Sequence, residues 1–358
     1  MKAVVLVGGE GTRLRPLTYT TPKQLLPIVE VPLLERVLAH LAAAGVDEAI
    51  LSLGYRPDAF VAAYPDGRAA GIALVYAVEP EPLDTAGAIR FAALHGAVDG
   101  TFIAVNGDVL TEVDISSLLD CHRRHRAAAT LHLTAVDDPS RFGVVATDES
   151  GRVRAFVEKP PPGEAPSDLI NAGTYILEPD VLDRIPDGRP VSIERETFPA
   201  LAADGRVYGV ASGAYWLDAG TPAAYLRAHA DLLDGTRSGV PSPGAVPLDD
   251  GVWVLGTPRV DGDVRPFSLI GDGAVVAAGA RVSASVVGAG SVIEAGAVVE
   301  GSVLLPGVHV DGGASVTGSI LGRNAVVAED CVVAALTVVG DGEVLGRGLH
   351  LSEARVPV

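Results

Sequence analysis

The stretch MKAVVLVGGEGTRLRPLTYTTPKQLLPI, residues 1–28, is the part of the chain around which the rest is organised. Its apolar run at 3–7 predicts a buried strand, and Gly8, Gly9 and Gly11 follow directly. Glycines at this density let the backbone turn sharply and come close to a ligand, because no Cβ is in the way. Successive N–H groups in such a turn can point at one anion. The stretch therefore predicts a strand that leads into an anion-binding turn.

Two cations follow the glycine turn. Arg13 offers a planar fork of donors, and Lys23 offers a mobile point charge. Together with the glycines they indicate a phosphate site. The site is not a Walker loop, because no Lys-Ser or Lys-Thr pair follows the glycines. It is not a dinucleotide fingerprint either, because Leu14 stands where that pattern needs a glycine.

The run GGEGTRLRPLTYTTPKQLLPI resembles the opening signature of the nucleotide-sugar pyrophosphorylases, the sugar-1-phosphate nucleotidyltransferases. The resemblance implies that the glycine turn and Arg13 bind the triphosphate and that Lys23 binds the reacting phosphates. In this stretch it places the following residues at the nucleotide: Leu6, Gly8, Gly9, Gly11, Thr12 and Arg13.

Length and composition indicate a globular protein of two domains. The chain has 358 residues, of which 48% are hydrophobic and 20% charged. Its formal net charge of −18 argues against nucleic acid as a partner, because nucleic-acid binding usually needs a basic face. A nucleotide remains compatible with this charge, since a few local cations suffice for one triphosphate.

The two cysteines and the N-terminus indicate a cytoplasmic protein. Cys121 and Cys331 lie far apart and lack metal-ligand spacing, which argues against a disulfide framework and against a zinc site. The apolar run at 3–7 is too short for the core of a signal peptide. We find no apolar run long enough to span a membrane, so no membrane partner is expected.

Residues 1–235 alternate short apolar runs with helical patterns, which predicts a Rossmann-like, mostly parallel sheet with helices on both faces. Ligands of such sheets sit beyond the carboxyl ends of the strands. Both the glycine turn and Asn106-Gly107-Asp108 directly follow a predicted strand, so both should lie at that edge. The predicted elements include helices at 32–44 and 86–94 and strands at 3–7, 48–53, 73–78 and 101–105.

A linker at 236–248, rich in Gly, Ser and Pro, precedes a repeat at 249–358. Three apolar columns in the repeat recur with a step of 17 residues (287−270, 304−287, 321−304). A core residue at about every sixth position is the hexapeptide signature of a parallel β-helix, which is left-handed in the family that the chain resembles. The columns are Ile270, Val287, Leu304 and Leu321; Val276, Ile293, Val310 and Val327; and Val282, Val299, Val316 and Val333.

Two aspartates are the candidate metal ligands. Asp108 lies in VNGDVL and Asp218 in YWLDAGTP. Two carboxylates at one sheet edge suit Mg²⁺, which is usually held by one or two carboxylates together with substrate phosphates. Asp in Asn-Gly-Asp is more often a simple turn residue. The two segments resemble the metal-binding segments of the pyrophosphorylases, and this resemblance implies that Asp108 and Asp218 hold Mg²⁺, with Asp108 counted among the catalytic residues.

Three further segments resemble the sugar site of the same family. Lys159 in FVEKP is implied to bind the phosphate of the sugar 1-phosphate, and Glu158 to accept hydrogen bonds from sugar hydroxyls. Asn171 and Gly173 in INAGTYILEP match the segment that lines the sugar. Gly143 in SRFGVV matches a glycine that lets the backbone approach it.

The stretch YAVEPEPLDTAG, residues 76–87, resembles the base-binding loop of the mannose-1-phosphate guanylyltransferases. Guanine presents two adjacent donors, and a carboxylate such as Glu79 can accept both. The similar thymidylyltransferases tend to have Gln at this position, so Glu79 favours guanine. The resemblance also places Pro82, Thr85 and Gly107 at the nucleotide.

The chain departs from the family pattern at two places. Asp84 stands where relatives usually have Gly, which puts a negative charge near the nucleotide. Val29-Glu30-Val31 stands where many relatives have Gly followed by a basic or small residue. Both departures bear on the substrate contacts.

These patterns predict an enzyme that transfers a guanylyl group from GTP to a sugar 1-phosphate, foremost mannose 1-phosphate, and that forms a homo-oligomer. Four alternatives remain open at this point. They are a guanylyltransferase for a cyclitol phosphate such as valienol 1-phosphate, a glucose-1-phosphate nucleotidyltransferase, a non-catalytic regulatory paralogue, and a β-helix acyltransferase. The last needs a catalytic histidine in the repeat, where His309 occupies a turn-like segment typical of a solvated surface residue.

Overall fold

The computed structural model describes residues 1–249 and 251–357. These residues form two compact units. The first comprises Met1–Gly9 and Leu34–Leu217, and the second comprises Glu10–Leu33 and the chain from Asp218 onwards. The signature segment 10–33, called the signature loop below, therefore belongs to the second unit, although its sequence lies near the N-terminus.

The helices follow the patterns that predicted them. In α1 the side chains of Leu34, Leu38 and Leu41 are fully buried on one face, and each contributes about 1.5–3 kcal/mol by leaving water. Helix α6 begins at a capping residue, Thr221, whose hydroxyl accepts the Ala224 N–H at 3.2 Å. The described helices are α1 Leu33–Ala43, α2 Pro57–Ala63, α3 Asp84–His95, α4 Ile115–His125, α5 Phe198–Ala203 and α6 Pro222–Leu233.

Shorter helical turns connect these elements. They are the 3₁₀ turns Thr12–Leu14, Leu17–Tyr19, Lys23–Leu25, Pro139–Arg141 and Pro179–Arg184, and the π-helical turn Ile193–Thr197. The strands before the repeat are β1 Lys2–Leu6, β2 Pro27–Ile28, β3 Val31–Pro32, β4 Glu48–Leu53, β5 Arg68–Ala69, β6 Ile72–Val78, β7 Phe102–Asn106, β8 Val109–Thr111, β9 Ala129–Ala135, β10 Gly143–Thr147, β11 Val153–Glu158, β12 Leu169–Leu177, β13 Val207–Ala211 and β14 Trp216–Asp218.

The first unit is built on a mixed sheet of the predicted Rossmann-like type. Its strand order is β11-β10-β12-β7-β1-β4-β6-β5, with β9 paired to β12 and β13. The four central strands, β7, β1, β4 and β6, are parallel, and β12 joins them antiparallel. Because Leu6 lies in register with Ser52 and with Asn106, the glycine turn, the end of β4 and the Asn-Gly-Asp segment share one edge.

The repeat forms the predicted left-handed parallel β-helix, with three sheets wrapped around one apolar core. The sheets are β15-β16-β19-β22-β25-β28-β31-β34, β17-β20-β23-β26-β29-β32 and β18-β21-β24-β27-β30-β33. The strands are β15 Val246–Asp249, β16 Val252–Val254, β17 Arg259–Val260, β18 Asp263–Val264, β19 Ser268–Ile270, β20 Val275–Val276, β21 Arg281–Ser283, β22 Val286–Val287, β23 Val292–Ile293, β24 Val298–Glu300, β25 Val303–Leu304, β26 His309–Val310, β27 Ser315–Thr317, β28 Ile320–Leu321, β29 Val326–Val327, β30 Val332–Ala334, β31 Val338–Val339, β32 Val344–Leu345, β33 His350–Ser352 and β34 Arg355–Val356.

The three predicted columns of the β-helix are confirmed position by position. Ile270 lies in register with Val287, which in turn lies in register with Leu304. All members of the three columns are buried to within 1%. The turn position three residues before the second column, at 273, 290, 307 and 324, holds Gly or Asn, and its backbone lies in the left-handed region, with φ 65° at Gly273 and 56° at Asn324. Both residue types tolerate this region.

The predicted domain limits at 235 and 248 stay predictions. Residues 246–248 lie within β15, which pairs antiparallel with β16, so the predicted linker overlaps the first strand of the β-helix sheet. Cys121 and Cys331 are both free thiols. Among the residues that the structure describes, no helix combines the length and apolarity needed to cross a bilayer.

Candidate active site

The base-binding loop places the Glu79 carboxylate beside the glycine turn. A Cβ on Gly8 would lie 3.2 Å from the Gly54 nitrogen and 3.4 Å from Oε1 of Glu79, so the backbone at Gly8 approaches this loop closely. Oε1 of Glu79 accepts the Ser52 hydroxyl at 2.9 Å, and Oε2 accepts the Leu83 N–H at 3.2 Å. The carboxylate is thus held in one orientation, half-buried, next to the turn.

Two other acidic residues of the loop differ from Glu79 in their surroundings. Glu81 is exposed. Asp84 is exposed as well and has φ 57°, in the left-handed region, and its Oδ1 accepts the Thr85 N–H at 2.7 Å. This backbone conformation explains why glycine suits the position, and Asp is among the residues that tolerate it.

Thr85 ties the base loop to a segment that the sequence did not single out as functional. The Thr85 hydroxyl donates to Oε2 of Glu194 at 2.7 Å and accepts the Ile193 N–H at 2.8 Å. Ser192 donates to the same Glu194 oxygen at 2.9 Å. With its hydroxyl engaged in this way, Thr85 fixes the start of α3. Glu194 lies in VSIERETFPAL, residues 191–201, a segment to which none of the motifs described above assigns a role.

The structure brings the predicted sugar-site residues of β10 and β11 together. Gly143 lies in register with Glu158. A Cβ on Gly143 would lie 2.8 Å from Oε2 of Glu158 and 2.9 Å from the Phe156 ring, so only glycine fits. The Lys159 ammonium lies 3.4 Å from Oε1 of Glu158 and is largely exposed, which leaves it able to meet a phosphate.

Strand β12 carries the other sugar-site residues past the end of β7. Nδ2 of Asn171 donates to the Tyr175 hydroxyl at 2.8 Å, and Oδ1 of Asn171 accepts the Gly173 N–H at 3.1 Å. Gly173 has φ 77°, and a Cβ there would lie 2.6 Å from Nδ2 of Asn106. Tyr175 is fully buried, and burial raises the pKa of its phenol well above the ordinary value. The close approach of Gly173 to Asn106 therefore connects the sugar segment to the residues Gly107 and Asp108, which directly follow Asn106.

The Asn-Gly-Asp segment packs against the end of β1. The Gly107 N–H donates to the Leu6 carbonyl at 2.9 Å, and a Cβ on Gly107 would lie 2.6 Å from the Val7 side chain. Asp108 follows as a partly buried residue between β7 and β8. Leu6, Gly107 and Asp108 are thus joined at one sheet edge, as predicted.

The signature loop brings the predicted phosphate ligands together in the second unit. Gly11 has φ 65°, and a Cβ there would lie 3.1 Å from the Lys23 Cβ, so a side chain at Gly11 would push Lys23 away. Arg13 is exposed, and its guanidinium lies 3.7 Å from Oδ2 of Asp218. Oδ1 of Asp218 accepts the Gly220 N–H at 2.9 Å, which fixes the carboxylate.

A tight hairpin of β2 and β3 ends the signature loop. Both of its turn residues have positive φ, 47° at Val29 and 66° at Glu30, as a type I′ turn requires. The Val29 N–H donates to Nδ1 of His229 at 3.1 Å, and the Tyr225 hydroxyl donates to the Pro27 carbonyl. Helix α6 therefore holds this turn, in which a β-branched residue adopts a conformation that is unfavourable for it.

Glu30, one of the departures from the family pattern, contacts the β-helix. Burial raises the pKa of its carboxyl above the ordinary value. The charge of Arg323 and a backbone hydrogen bond from Ala289 lower the pKa and offset part of this rise. Glu30 thus supplies an acidic contact to the solenoid in place of a cation for phosphate.

The carboxylates Asp108 and Asp218 have the chemistry of a hard-cation site. Oxygen ligands of this kind suit a divalent ion that also contacts substrate phosphates. Each lies in a different unit of the structure, so their sharing of one ion stays a prediction. The geometry fits a role for Asp218 in particular, because its carboxylate is oriented by Gly220 and faces Arg13, a predicted phosphate ligand.

The fold and these sites define a nucleotidyltransferase. The family model described as "Nucleotidyl transferase" matches residues 2–235, and the model described as "GMPPB C-terminal domain" matches residues 264–357. The chain belongs to the nucleotidyl transferase family, whose members generally use a divalent metal.

Individual relatives of the chain include mannose-1-phosphate guanylyltransferases. The chain is 45% identical over 298 residues to a mannose-1-phosphate guanylyltransferase of Mycobacterium tuberculosis, covering 79% of this chain and 81% of the relative. It is 38% identical over 296 residues to mannose-1-phosphate guanylyltransferase 1 of Arabidopsis thaliana, covering 79% and 80%. Among solved structures, HddC from Yersinia pseudotuberculosis complexed with GMP-PN is 30% identical with a TM-score of 0.55, covering 64% of this chain and 97% of HddC.

Proposed function

We propose that this protein transfers a guanylyl group from GTP to mannose 1-phosphate, which gives GDP-mannose and pyrophosphate. The relatives with this name match about four-fifths of the chain, and a structural neighbour holds a guanine nucleotide analogue. The Glu79 carboxylate at the base loop is the observation in this chain that carries the proposal.

Glu79 offers guanine two acceptors. Ser52 and the Leu83 N–H each occupy one lone pair on a different oxygen of the carboxylate, and a carboxylate oxygen accepts at about two lone-pair sites. Each oxygen therefore keeps acceptor capacity for N1–H or the exocyclic amine of guanine. An amide at this position has one acceptor and two donors, so it would match uracil or thymine better.

The reaction is an in-line displacement at the α-phosphorus. An oxygen of the sugar phosphate forms the new P–O bond while the bond from the α-phosphorus to the bridging β-oxygen breaks, and pyrophosphate leaves with both electrons. No covalent intermediate on the enzyme is needed, so catalysis consists of positioning and charge neutralisation. Arg13 and the N–H groups at 8–12 bind the triphosphate, and Lys23 neutralises the reacting phosphates.

The remaining roles follow from the sugar site. Lys159 binds the phosphate of mannose 1-phosphate, Glu158 accepts hydrogen bonds from sugar hydroxyls, and Asn171 lines the sugar. Gly143 and Gly173 leave room for the sugar at the backbone. Mg²⁺ held by Asp108 and Asp218 would supply polarisation of the α-phosphate.

The test is pyrophosphate release with Mg²⁺ and GTP, comparing mannose 1-phosphate, glucose 1-phosphate and a valienol-type cyclitol phosphate. Release that is fastest with mannose 1-phosphate supports the proposal. Release only with the cyclitol phosphate or only with glucose 1-phosphate would show that this compound, and not mannose 1-phosphate, is the acceptor. No release with any acceptor and any nucleoside triphosphate would favour a regulatory protein and would contradict the proposed activity.

The metal assignment has its own test. We expect Asp108→Asn to lower turnover by about a thousandfold, since metal polarisation contributes several kcal/mol to transition-state stability. Its melting temperature should match that of the wild type. Full activity of Asp108→Asn would show that Asp108 does not hold a catalytic metal ion.

A further inference from the structure

We propose that Glu294, His309 and Asp311 bind a transition-metal dication, with Zn²⁺ as the leading candidate, on the outer face of the β-helix. Their ligand atoms all lie within 4.8 Å of one another. Nε2 of His309 lies 3.0 Å from Oε1 of Glu294 and 3.3 Å from Oδ1 of Asp311. The three side chains thus point at one place.

The coil register places these residues together. Strand β23 pairs with β26, and Ile293 lies in register with Val310, so Glu294 and Asp311 follow equivalent positions in successive coils. In-register positions of neighbouring strands lie about 4.8 Å apart. His309 stands two residues before Asp311 and on the same face, in a column that otherwise holds Arg259, Val275, Val292, Val326 and Val344.

The distances are close to those between ligands of one small dication. Zinc bonds to nitrogen or carboxylate oxygen are about 2.0–2.2 Å long, which sets neighbouring ligand atoms of a tetrahedral site about 3.3–3.6 Å apart. The distance from Nε2 of His309 to Asp311 lies in this range, and the distance to Glu294 is a few tenths of an ångström shorter. One imidazole nitrogen can direct a single N–H at one acceptor only, and in the structure that hydrogen bond goes to Glu294. Asp311 therefore approaches the same nitrogen without a hydrogen bond of its own.

Electrostatics favours a cation at this place. Like charges directly opposite each other on neighbouring strands are destabilising, and Glu294 and Asp311 are so placed. An imidazolium supplies one positive charge, whereas a dication bonded to all three groups neutralises both carboxylates. Asp261, which occupies the same column two coils away, is instead held by the Arg259 guanidinium at 2.6 Å. Ala277 and Ala328 flank the cluster in that column and leave space around it.

The ligand set selects the class of metal. Imidazole suits zinc, copper and nickel, whereas magnesium prefers oxygen ligands alone. The site is therefore chemically distinct from the proposed magnesium carboxylates. It also uses no cysteine, which is why cysteine spacing gave no sign of it. His309 lies in a strand, β26, and not in the turn that the Pro-Gly-Val-His sequence had predicted.

The experiment is calorimetric titration of the full chain with ZnCl₂ in excess MgCl₂, which occupies oxygen-only sites. We expect wild-type protein to bind one equivalent of Zn²⁺ that His309→Asn binds at least about tenfold more weakly, since even outer-shell substitutions cost that much. Glu294→Gln and Asp311→Asn should weaken the same binding event. The matched control is His350→Asn, which removes an exposed histidine from a different sheet, β18-β21-β24-β27-β30-β33.

A second measurement separates metal binding from loss of an ion pair. Zn²⁺ should raise the melting temperature of the wild type and of His350→Asn, because a ligand that binds only the folded state stabilises it. It should leave His309→Asn unchanged. The proposal is overturned if the wild type and His309→Asn take up Zn²⁺ equally, or if His350→Asn loses as much binding as His309→Asn.

Discussion

The Thr20 hydroxyl lies 2.6 Å from Oδ2 of Asp341, and Oδ1 of the same carboxylate accepts the Arg323 N–H at 2.7 Å. Thr20 belongs to the signature loop and Asp341 to a turn of the β-helix. Pro16 packs beside the same turn, since a Cβ on Gly340 would lie 3.3 Å from its ring. The loop that carries the proposed phosphate-binding residues is therefore attached to the solenoid, which gives the β-helix a direct influence on their position.

Asp341→Ala should lower kcat/KM by up to about tenfold, because the loop loses the contact that positions Arg13 and Lys23. The free energy of unfolding should fall by about 1 kcal/mol, the net value of a hydrogen bond at an exposed site. Steady-state kinetics and urea unfolding measure the two effects.

Asp272 provides the matched control for Asp341. It stands at the equivalent turn position of another coil, one residue before Gly273, and its Oδ1 accepts the Thr257 N–H at 2.8 Å. Asp272→Ala should destabilise the coil similarly and leave kcat/KM unchanged. Equal kinetic losses in the two variants would show that the turn acts only through stability.

Glu79→Gln should lower kcat/KM for GTP by about 10- to 100-fold. The amide would place an N–H₂ group against one of the guanine donors, and an unsatisfied polar group of this kind costs about 1–3 kcal/mol. The ratio of activity with UTP or dTTP to activity with GTP should rise. Pyrophosphate release with each triphosphate measures the change.

Glu81→Gln is the control for this substitution, because Glu81 lies two residues away in the same loop and is exposed. Its base preference should equal that of the wild type. If Glu79→Gln also keeps the wild-type preference, Glu79 does not read the base.

Periodic contacts of the fold could be predicted from the sequence. The strand at 48–53 was predicted with both limits correct, and the helix at 32–44 differs from α1 by one residue at each end. The three predicted columns of the β-helix were found because a step of 17 residues repeats the same burial in each coil. Such patterns are local or regular, so they can be recognised in a single sequence.

Contacts between unrelated segments could not be predicted in this way. Nothing periodic relates Thr20 to Asp341 or Thr85 to Glu194, although both pairs form short hydrogen bonds. The positive φ of Val29 could not be predicted either, because Val rarely adopts it and the hydrogen bond of its N–H to His229 joins segments far apart in the sequence. The family motifs assign both Gly143 and Glu158 to the sugar site, and the structure adds that they lie in register on neighbouring strands. The hydrogen-bond partners of Glu79 could not be read from the sequence.

The stability of the protein should fall between pH 6.5 and pH 4 because of His132. Burial, with a smaller contribution from the charge of His40, lowers the pKa of His132 to about 4. The unfolded chain, with an ordinary histidine pKa of about 6.5, binds a proton in this window and the folded chain does not. Stability is therefore full above pH 6.5 and is lost as the pH falls, by about 3 kcal/mol in total.

His132→Gln tests this assignment, since it removes the titrating group while keeping a polar partner for Ser212, which lies 2.9 Å from Nε2 of His132. Urea unfolding at several pH values should show a shallower loss of stability in the variant, whatever its stability at pH 7. Parallel curves for the two proteins would exclude His132 as the source.

Asp84→Asn should lower the KM for GTP by up to about fivefold, because it removes an exposed negative charge near the proposed nucleotide site, and exposed charge interactions contribute at most about 1 kcal/mol. Asn tolerates the left-handed backbone at φ 57° as Asp does, so the conformation of the loop is kept. Asp84→Gly should give the same KM, since glycine also removes the charge and only relaxes the backbone further. The effect should shrink in high salt. If Gly alone lowers the KM and Asn does not, backbone strain and not charge sets the affinity for GTP at this position.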